Sequence, residues 1–190
     1  NVRQFQLPQR ALYNHDPIYG NEAKVNMSDE DFRSYLFTMA MRGTCFWELY
    51  YSYNMMNENK WRINYAVLRF IEENIDVLSN SVIFGDRPSE KGVYGFSCFN
   101  EEEGIISVRN SSDKAKAFTF TLDEKIGVGA AFPKSKAYII LPYTEKAYTS
   151  TYGYGDSITI DIAPFERVSV KFTKKKDNGL FSVEEFKGVL

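Results

Sequence analysis

GIISVRNSSDKAKAFTFTL, residues 104–122, alternates apolar and polar side chains on both sides of a polar middle section. Alternation with a period of two is typical of β-strands, and Asn-Ser-Ser-Asp at 110–113 has the composition of a turn. The stretch therefore predicts a β-hairpin between residues 104–109 and 117–122. Further strands are predicted at 137–141, 157–162 and 168–172, separated by Pro142, Gly153, Gly155 and Pro164. Short strands at such close spacing predict an antiparallel β-sandwich over residues 85–175.

The first half of the chain has the spacing of helices instead. Ser28 and Asp31 are placed as in a capping box, and apolar residues then recur at helical intervals up to Gly43. A second helix is predicted from Asn57, which can cap it, to Leu78. Its apolar residues cover two adjacent sides, and the second side consists of Trp61, Tyr65, Leu68 and Ile75. We therefore expect this helix to pack against two neighbours.

Between the two predicted helices lies the run TCFWELYY, residues 44–51. Its β-branched, aromatic and aliphatic residues predict a short buried strand. Helix, buried strand and helix in this order are typical of an α/β layer. The predicted fold class is α+β: a helical segment at 1–84, an antiparallel β-sandwich at 85–175, and a linker or short terminal helix at 176–190.

Composition excludes several classes of function. The 190 residues carry 23 Lys and Arg against 25 Asp and Glu, so the net charge of −2 gives no basic surface for nucleic acid. No apolar run reaches the roughly 18 to 20 residues of a membrane helix. A Ser-His triad or a His-based metal site would depend on His15, since the chain has 1 His. We predict no nucleic-acid partner, no membrane segment, no metal and no cofactor.

Two short segments carry the candidate site residues. Glu48 lies beside Trp47 in the predicted strand, where an ionised carboxylate needs a partner. A carboxylate next to aromatic rings suits a sugar; a structural pairing with an arginine such as Arg42 is the alternative. In the segment 14–17, His15 and Asp16 stand where a short strand would end, which is either a site position or an ordinary turn.

The stretch YTSTYGYGD, residues 148–156, allows two interpretations. Its tyrosines could form a platform for glycans, and a turn rich in β-forming residues is the structural alternative. The two cysteines, Cys45 and Cys98, could form one bridge, but both lie in aromatic-rich runs. We predict that they are free thiols in the core.

Four segments follow one another in a recognisable order: MRGTCFWELY at 41–50, the helical stretch 60–78, GIISVRN at 104–110, and a strand pair within 154–166. This order resembles the C-terminal end of glycoside hydrolases of the melibiase or α-galactosidase type, in which a TIM barrel precedes an antiparallel β-sandwich. The first two segments look like the last barrel strand and helix. The other two look like sandwich strands. Residues 11–16 and 28–41 would be the seventh barrel strand and helix.

The resemblance implies a carbohydrate-active enzyme that hydrolyses α-glycosidic bonds, α-galactosides above all, with the sandwich as structural support. The catalytic acids of that clan stand on middle barrel strands, upstream of these segments, so no catalytic residue is carried over and the chain alone is expected to be inactive. The candidate substrate-binding residues are His15, Asp16, Trp47, Glu48 and Tyr50. The resemblance also implies a carbohydrate partner and a periplasmic or extracellular location.

Two alternatives remain open. The sandwich could be a non-catalytic carbohydrate-binding module that uses Tyr148, Tyr152 and Tyr154. The chain could also be a structural interaction domain. In that case apolar helix faces would be covered by a partner, for instance in a homodimer.

Overall fold

A computed structural model describes residues 8–11, 13–14, 18–19, 26–44, 46–141 and 147–175. The helices are α1 (Asp29–Arg42), α2 (Glu58–Glu73) and α3 (Ile75–Leu78). The strands are β1 (Tyr13–Asn14), β2 (Ile18–Tyr19), β3 (Phe46–Trp47), β4 (Tyr50–Tyr51), β5 (Ser81–Gly85), β6 (Val93–Phe99), β7 (Gly104–Asn110), β8 (Lys116–Thr121), β9 (Ser135–Leu141), β10 (Ala147–Tyr152), β11 (Ser157–Ile162) and β12 (Arg167–Thr173). Cys45 and the segment 176–190, for which a linker or helix was predicted, lie outside the described residues.

Helix α1 begins and ends as predicted. The Ser28 hydroxyl accepts a hydrogen bond from the backbone N–H of Asp31 at 3.1 Å. Three acidic residues in the first turn complement the positive end of the helix dipole. The helix ends at Arg42, directly before Gly43. Its buried face consists of Phe32, Leu36, Phe37, Met39, Ala40 and Met41.

Helix α2 begins as predicted but ends before the predicted position. The Asn57 side chain accepts a hydrogen bond from the backbone N–H of Lys60 at 2.8 Å. The single helix predicted up to Leu78 is interrupted at Asn74, whose side-chain amide donates to the carbonyl of Phe70 at 2.8 Å. Asn competes with the helix for backbone hydrogen bonds in this way, so the chain continues as the separate helix α3.

A partly buried ion pair joins the first turns of α1 and α2. The Lys60 ammonium donates to the Asp29 carboxylate at 2.9 Å, and it lies 5.9 Å from the ring centre of Tyr19. Burial lowers the pKa of Lys60, but the hydrogen bond and the charge of Asp29 outweigh burial and raise it overall. The hydrogen bond from Lys60 lowers the pKa of Asp29. Both groups therefore stay charged at neutral pH, and the pair holds the two helices together.

The strands form the two sheets of an antiparallel sandwich. A six-stranded sheet has the order β10-β9-β12-β7-β6-β5, and β11 pairs with β8 in a second sheet. The apolar side chains of β7 and β12 meet those of β8 and β11 in one core: Ile106, Val108, Val168, Val170, Phe172, Phe120, Ile158, Ile160 and Ile162. The predicted α+β class, helices beside an antiparallel β-sandwich, is confirmed.

The hairpin predicted within 104–122 is wrong, although both of its strands exist. Both edges of β7 are occupied, because Arg109 pairs with Tyr94 on β6 and with Arg167 on β12. The chain then crosses to the second sheet, where β8 pairs with β11. The amide of Asn110 stabilises this crossing by donating to the carbonyls of Lys114 and Ile162. Alternation within each strand gives no information about its partner, so the sequence could not distinguish a hairpin from a crossing.

The helices pack on the other face of the six-stranded sheet. Phe96, Cys98 and Ile105 belong to the same core as the buried faces of α1 and α2. Cys98 is a free buried thiol, as predicted, and burial raises its pKa to about 12. Strand β5, at 81–85, crosses the expected domain boundary at residue 84. No helix in the described part of the chain has the length and apolar composition of a transmembrane segment.

Two expectations about burial are wrong. The run 44–51 forms two short strands, β3 and β4, rather than one buried strand, and Phe46 is 52% and Tyr50 44% exposed. The second apolar side of α2 and α3 is also only partly covered by the described residues. Its four members are 37–42% exposed: Trp61, Tyr65, Leu68 and Ile75. Apolar periodicity locates a face but not the element that covers it.

Strand β12 lies in the middle of the large sheet and is buried on both faces. Val168, Val170 and Phe172 enter the core between the sheets, whereas Ser169 and Lys171 are buried polar residues in the alternate positions. The Lys171 ammonium donates to the side-chain oxygen of Asn74 at 2.9 Å. Burial lowers the pKa of Lys171, and the charge of Glu103 partly opposes this effect.

We predict that Asn74→Ala lowers the free energy of unfolding by about 2 kcal/mol, because it leaves a buried ammonium without its hydrogen bond. The double variant Asn74→Ala with Lys171→Met should be more stable than Asn74→Ala alone, since it also removes the buried ammonium that has lost its hydrogen bond. Urea unfolding monitored by circular dichroism measures both effects.

Asn80→Ala is the matched control. Asn80 also donates its side-chain amide to a backbone carbonyl, that of Asp76 at 2.9 Å, but it is exposed. Asn80→Ala should lower the free energy of unfolding by well under half as much as Asn74→Ala does. Equal costs for the two variants would contradict a special role of the Lys171–Asn74 hydrogen bond.

Candidate functional site

The candidate site is built on two parallel strand pairs. Strand β1 pairs with β3, so that Asn14 lies beside Trp47. Strand β2 pairs with β4, so that Tyr19 lies beside Tyr51. Parallel strands place their carboxyl ends at the same edge, and polar residues that follow such ends can form a site. Glu48 comes directly after β3, and Tyr50 begins β4.

Trp47 is half-buried and packs against the helical core. Its indole N–H is enclosed and has no hydrogen-bond partner among the described residues. A buried Trp N–H normally finds a partner. The indole therefore offers a donor that a polar group of a ligand could satisfy.

Glu48 forms a hydrogen bond with the Tyr50 hydroxyl, which donates to the carboxylate. This hydrogen bond is the main cause that raises the pKa of Tyr50. Glu48 is half-buried rather than enclosed in a strand. The sequence predicted either an arginine partner or a ligand for Glu48, and it gave no sign of the contact with Tyr50. A carboxylate has about four lone-pair sites, so it can accept hydrogen bonds from more than one donor.

Aromatic side chains of α1 and α2 pack around Tyr51, the residue that follows Tyr50 in β4. The Tyr51 hydroxyl donates to the side-chain oxygen of Asn64 on α2 at 2.7 Å. Its ring lies 5.9 Å from that of Phe32 and 6.0 Å from that of Trp61. Burial raises the pKa of Tyr51 well above its ordinary value. The sequence analysis missed Asn64, because nothing in the pattern of α2 marks one polar residue as a partner for a strand.

His15 and Asp16, the other two candidates, lie outside the described residues. The structure brings Glu48 and Tyr50 into contact, and the role of Trp47, Glu48 and Tyr50 in sugar binding stays a prediction. The described residues hold no group of three or more His, Cys, Asp or Glu side chains that could bind a metal ion.

The tyrosines at 148–154 do not form a flat platform. Residues 147–152 form strand β10, and the predicted turn follows it at Tyr154 and Gly155. The rings of Tyr148 and Tyr152 are perpendicular, with centres 6.0 Å apart, and Tyr152 also contacts Phe172. The Tyr154 hydroxyl is hydrogen-bonded to Glu124. Two of the three rings thus pack against the sandwich core, and this geometry argues against the glycan platform.

The fold and the candidate site together define a class of protein. A helical layer with parallel strand pairs packs on an antiparallel β-sandwich, and residues 47–50 of the helical layer carry a tryptophan, a glutamate and a tyrosine. The sequence matches no family model, and it matches no curated protein.

Solved structures share this fold. One is a protein of Bacillus halodurans C-125 assigned as an α-N-acetylgalactosaminidase, with a TM-score of 0.50 and 13% identity over 78% of this chain. Another is α-galactosidase I from Mortierella vinacea, with a TM-score of 0.51 and 16% identity over 77% of this chain. The match spans 33% and 36% of those two chains. This chain therefore has the fold of about one third of an α-galactosidase-like structure.

We predict that Glu48→Gln lowers the pKa of Tyr50, because it removes the charged acceptor that stabilises the protonated phenol. The variant Glu48→Gln keeps the size of the side chain. An NMR titration of ¹³C-labelled tyrosine rings at alkaline pH measures the change. Glu58→Gln, which alters an exposed glutamate paired with Arg62, should leave the Tyr50 titration unchanged. An unaltered Tyr50 pKa in Glu48→Gln would contradict the contact.

Proposed function

We propose that this chain is the C-terminal part of a glycoside hydrolase that acts on α-galactosides, and that Trp47, Glu48 and Tyr50 contact the sugar. The fold shared with α-galactosidase-like structures is the observation that carries the proposal. The β-sandwich has a structural role, since its apolar residues are used in its own core and its opposite sheet face supports the helices.

The chemistry of the three side chains fits a sugar. An indole ring can stack on the apolar face of a pyranose, and the unpartnered N–H of Trp47 can donate to a sugar oxygen. The Glu48 carboxylate can accept hydrogen bonds from sugar hydroxyls, which are stronger than neutral ones. Tyr50 holds that carboxylate in one orientation.

These side chains bind sugar but do not complete a catalytic pair. Hydrolysis with retention takes two carboxyl groups about 5 Å apart. Glu48 is one carboxylate, and Asp16, the other candidate acid, lies outside the described residues. The proposal gives Glu48 a binding role and places the catalytic nucleophile and acid/base in the complete enzyme.

The 2 tryptophans of the chain allow a direct test of binding. In Trp61→Phe the remaining fluorescence comes from Trp47, and in Trp47→Phe it comes from Trp61. Galactose should change the emission of Trp61→Phe in a saturable way and should leave that of Trp47→Phe unchanged. Adding Glu48→Gln to Trp61→Phe should weaken binding about tenfold, the loss expected for one charged hydrogen bond.

Glucose is the control ligand and should bind more weakly than galactose. The proposal fails for this site if galactose changes neither variant at millimolar concentration. A separate assay with an aryl α-galactoside tests the intact protein that contains this segment. Absence of turnover on any aryl glycoside would overturn the proposed enzyme class.

We propose self-association as a second candidate function, on the basis of the exposed side of α2 and α3. Trp61, Tyr65 and Leu68 follow helical spacing on α2 and form an apolar stripe; Ile75 lies further along on α3, with Glu72 between it and Leu68 in the spacing. Arg69 and its partners Glu72 and Glu73 form ion pairs on the same helix and provide charged groups near the stripe. An apolar centre with a charged rim is typical of an interface between protein chains.

Sedimentation of the chain over a range of concentrations tests this candidate. We expect a reversible dimer, and Leu68→Glu should raise its dissociation constant at least about tenfold by placing a charge in the stripe. Tyr53→Glu is the control, because Tyr53 is 82% exposed but lies outside α2. A monomer at all concentrations would leave the stripe to another partner and would refute the homodimer.

A further inference from the structure

A cleft between α1 and the large sheet is lined by three arginines and by none of the three candidate sugar-binding residues. Its cavity volume is about 240 Å³. It is lined by polar residues of α1, β6, β7 and β12, together with three apolar ones: Tyr35, Thr38, Arg42, Tyr94, Arg109, Arg167, Met39, Ile83 and Phe96. Three arginines from three different elements thus meet in one small cavity.

Two of these arginines face each other across strands. Arg109 and Arg167 are directly opposite in the antiparallel register of β7 and β12. Side chains in such positions are neighbours on one face, and like charges there destabilise a sheet. Burial and the nearby charge of Arg109 lower the pKa of Arg167. The arrangement therefore has an electrostatic cost in the absence of a counter-charge.

The same two arginines have unused donors. The Nε–H groups of Arg109 and Arg167 are buried and have no hydrogen-bond partner among the described residues. Buried donors without partners are rare, and each is a group that a bound acceptor could satisfy.

The charge of one carboxylate, that of Asp31 on α1, reaches Arg167 in this cleft. The charge of Asp31 raises the pKa of Arg167, but the Asp31 carboxylate accepts a hydrogen bond from the Ser28 hydroxyl at 2.8 Å as part of the helix cap. The residues that line the cleft include Arg109 and Arg167 and, among the described residues, no acidic side chain. The cavity therefore keeps an excess of positive charge.

We propose that this cleft is a binding site for a small tetrahedral oxyanion, sulfate or phosphate, either free or as a substituent of a sugar. Guanidinium groups bind such anions through paired N–H donors, and Arg is preferred over Lys for this geometry. The cavity is smaller than the roughly 300 to 1,000 Å³ of sites for drug-sized ligands, which suits an ion or a single ring. The proposal does not depend on the galactosidase assignment, since it shares no residue with the candidate sugar site.

Thermal unfolding and calorimetric titration of the 190-residue chain with sodium sulfate, at constant ionic strength set by sodium chloride, test the proposal. Sulfate should raise the melting temperature in a saturable way, because it binds the folded state. Arg109→Gln and Arg167→Gln should each weaken sulfate binding at least about tenfold. Without sulfate both variants should fold, since either change removes a repulsion between like charges; circular dichroism checks this.

Arg87→Gln is the matched control, because Arg87 is exposed and lies 3.7 Å from Glu90. It should bind sulfate as the unchanged chain does.

Galactose 6-sulfate and galactose distinguish the two sources of the anion. If the sugar sulfate binds more tightly than inorganic sulfate, the site takes the anion as a substituent of a sugar. If the two bind equally, the site takes the free ion. Non-saturable stabilisation, equal sulfate binding in Arg167→Gln, or equal binding of uncharged galactose would overturn the proposal.

Discussion

Strand β12 is the element on which both layers of this protein depend. It is central in the large sheet and buried on both faces, and its alternate residues serve two different environments. Val168, Val170 and Phe172 hold the second sheet through apolar contact. Lys171, on the opposite face, reaches the helical layer through a hydrogen bond to Asn74. Hydrophobic contact has no preferred direction, whereas the hydrogen bonds of a buried ammonium tolerate few geometries. The hydrogen bond between Lys171 and Asn74 therefore fixes where α2 ends relative to the sheet.

Much of the fold could be predicted because its signals are local. Ser28 and Asn57 mark helix starts through their own side chains, and alternation marks β11 and β12. The pairing of β8 with β11 could not be predicted, because it depends on β7 already having two neighbours. The break at Asn74 was also missed, since apolar spacing continues through it to Leu78.

The candidate site was predictable in part for the same reason. Glu48 and Trp47 are adjacent in the sequence, so a carboxylate beside an indole was visible at once. The hydrogen bond between Glu48 and Tyr50 depends on the chain turning between β3 and β4. The arginine cleft was invisible, because Arg42, Arg109 and Arg167 are far apart in the sequence and meet only when α1 packs on the sheet.

A chain of polar contacts connects the candidate sugar-binding edge to the sandwich. Tyr51 follows Tyr50 in β4 and is bonded to Asn64 on α2, and Asn74, which ends that helix, is bonded to Lys171 on β12. Each link joins buried or half-buried groups, for which the loss of a partner costs more than at the surface. A shift of α2 against the sheet would therefore also shift β4. This connection gives the structural role of the sandwich a physical basis: it positions the helix that positions the strand edge.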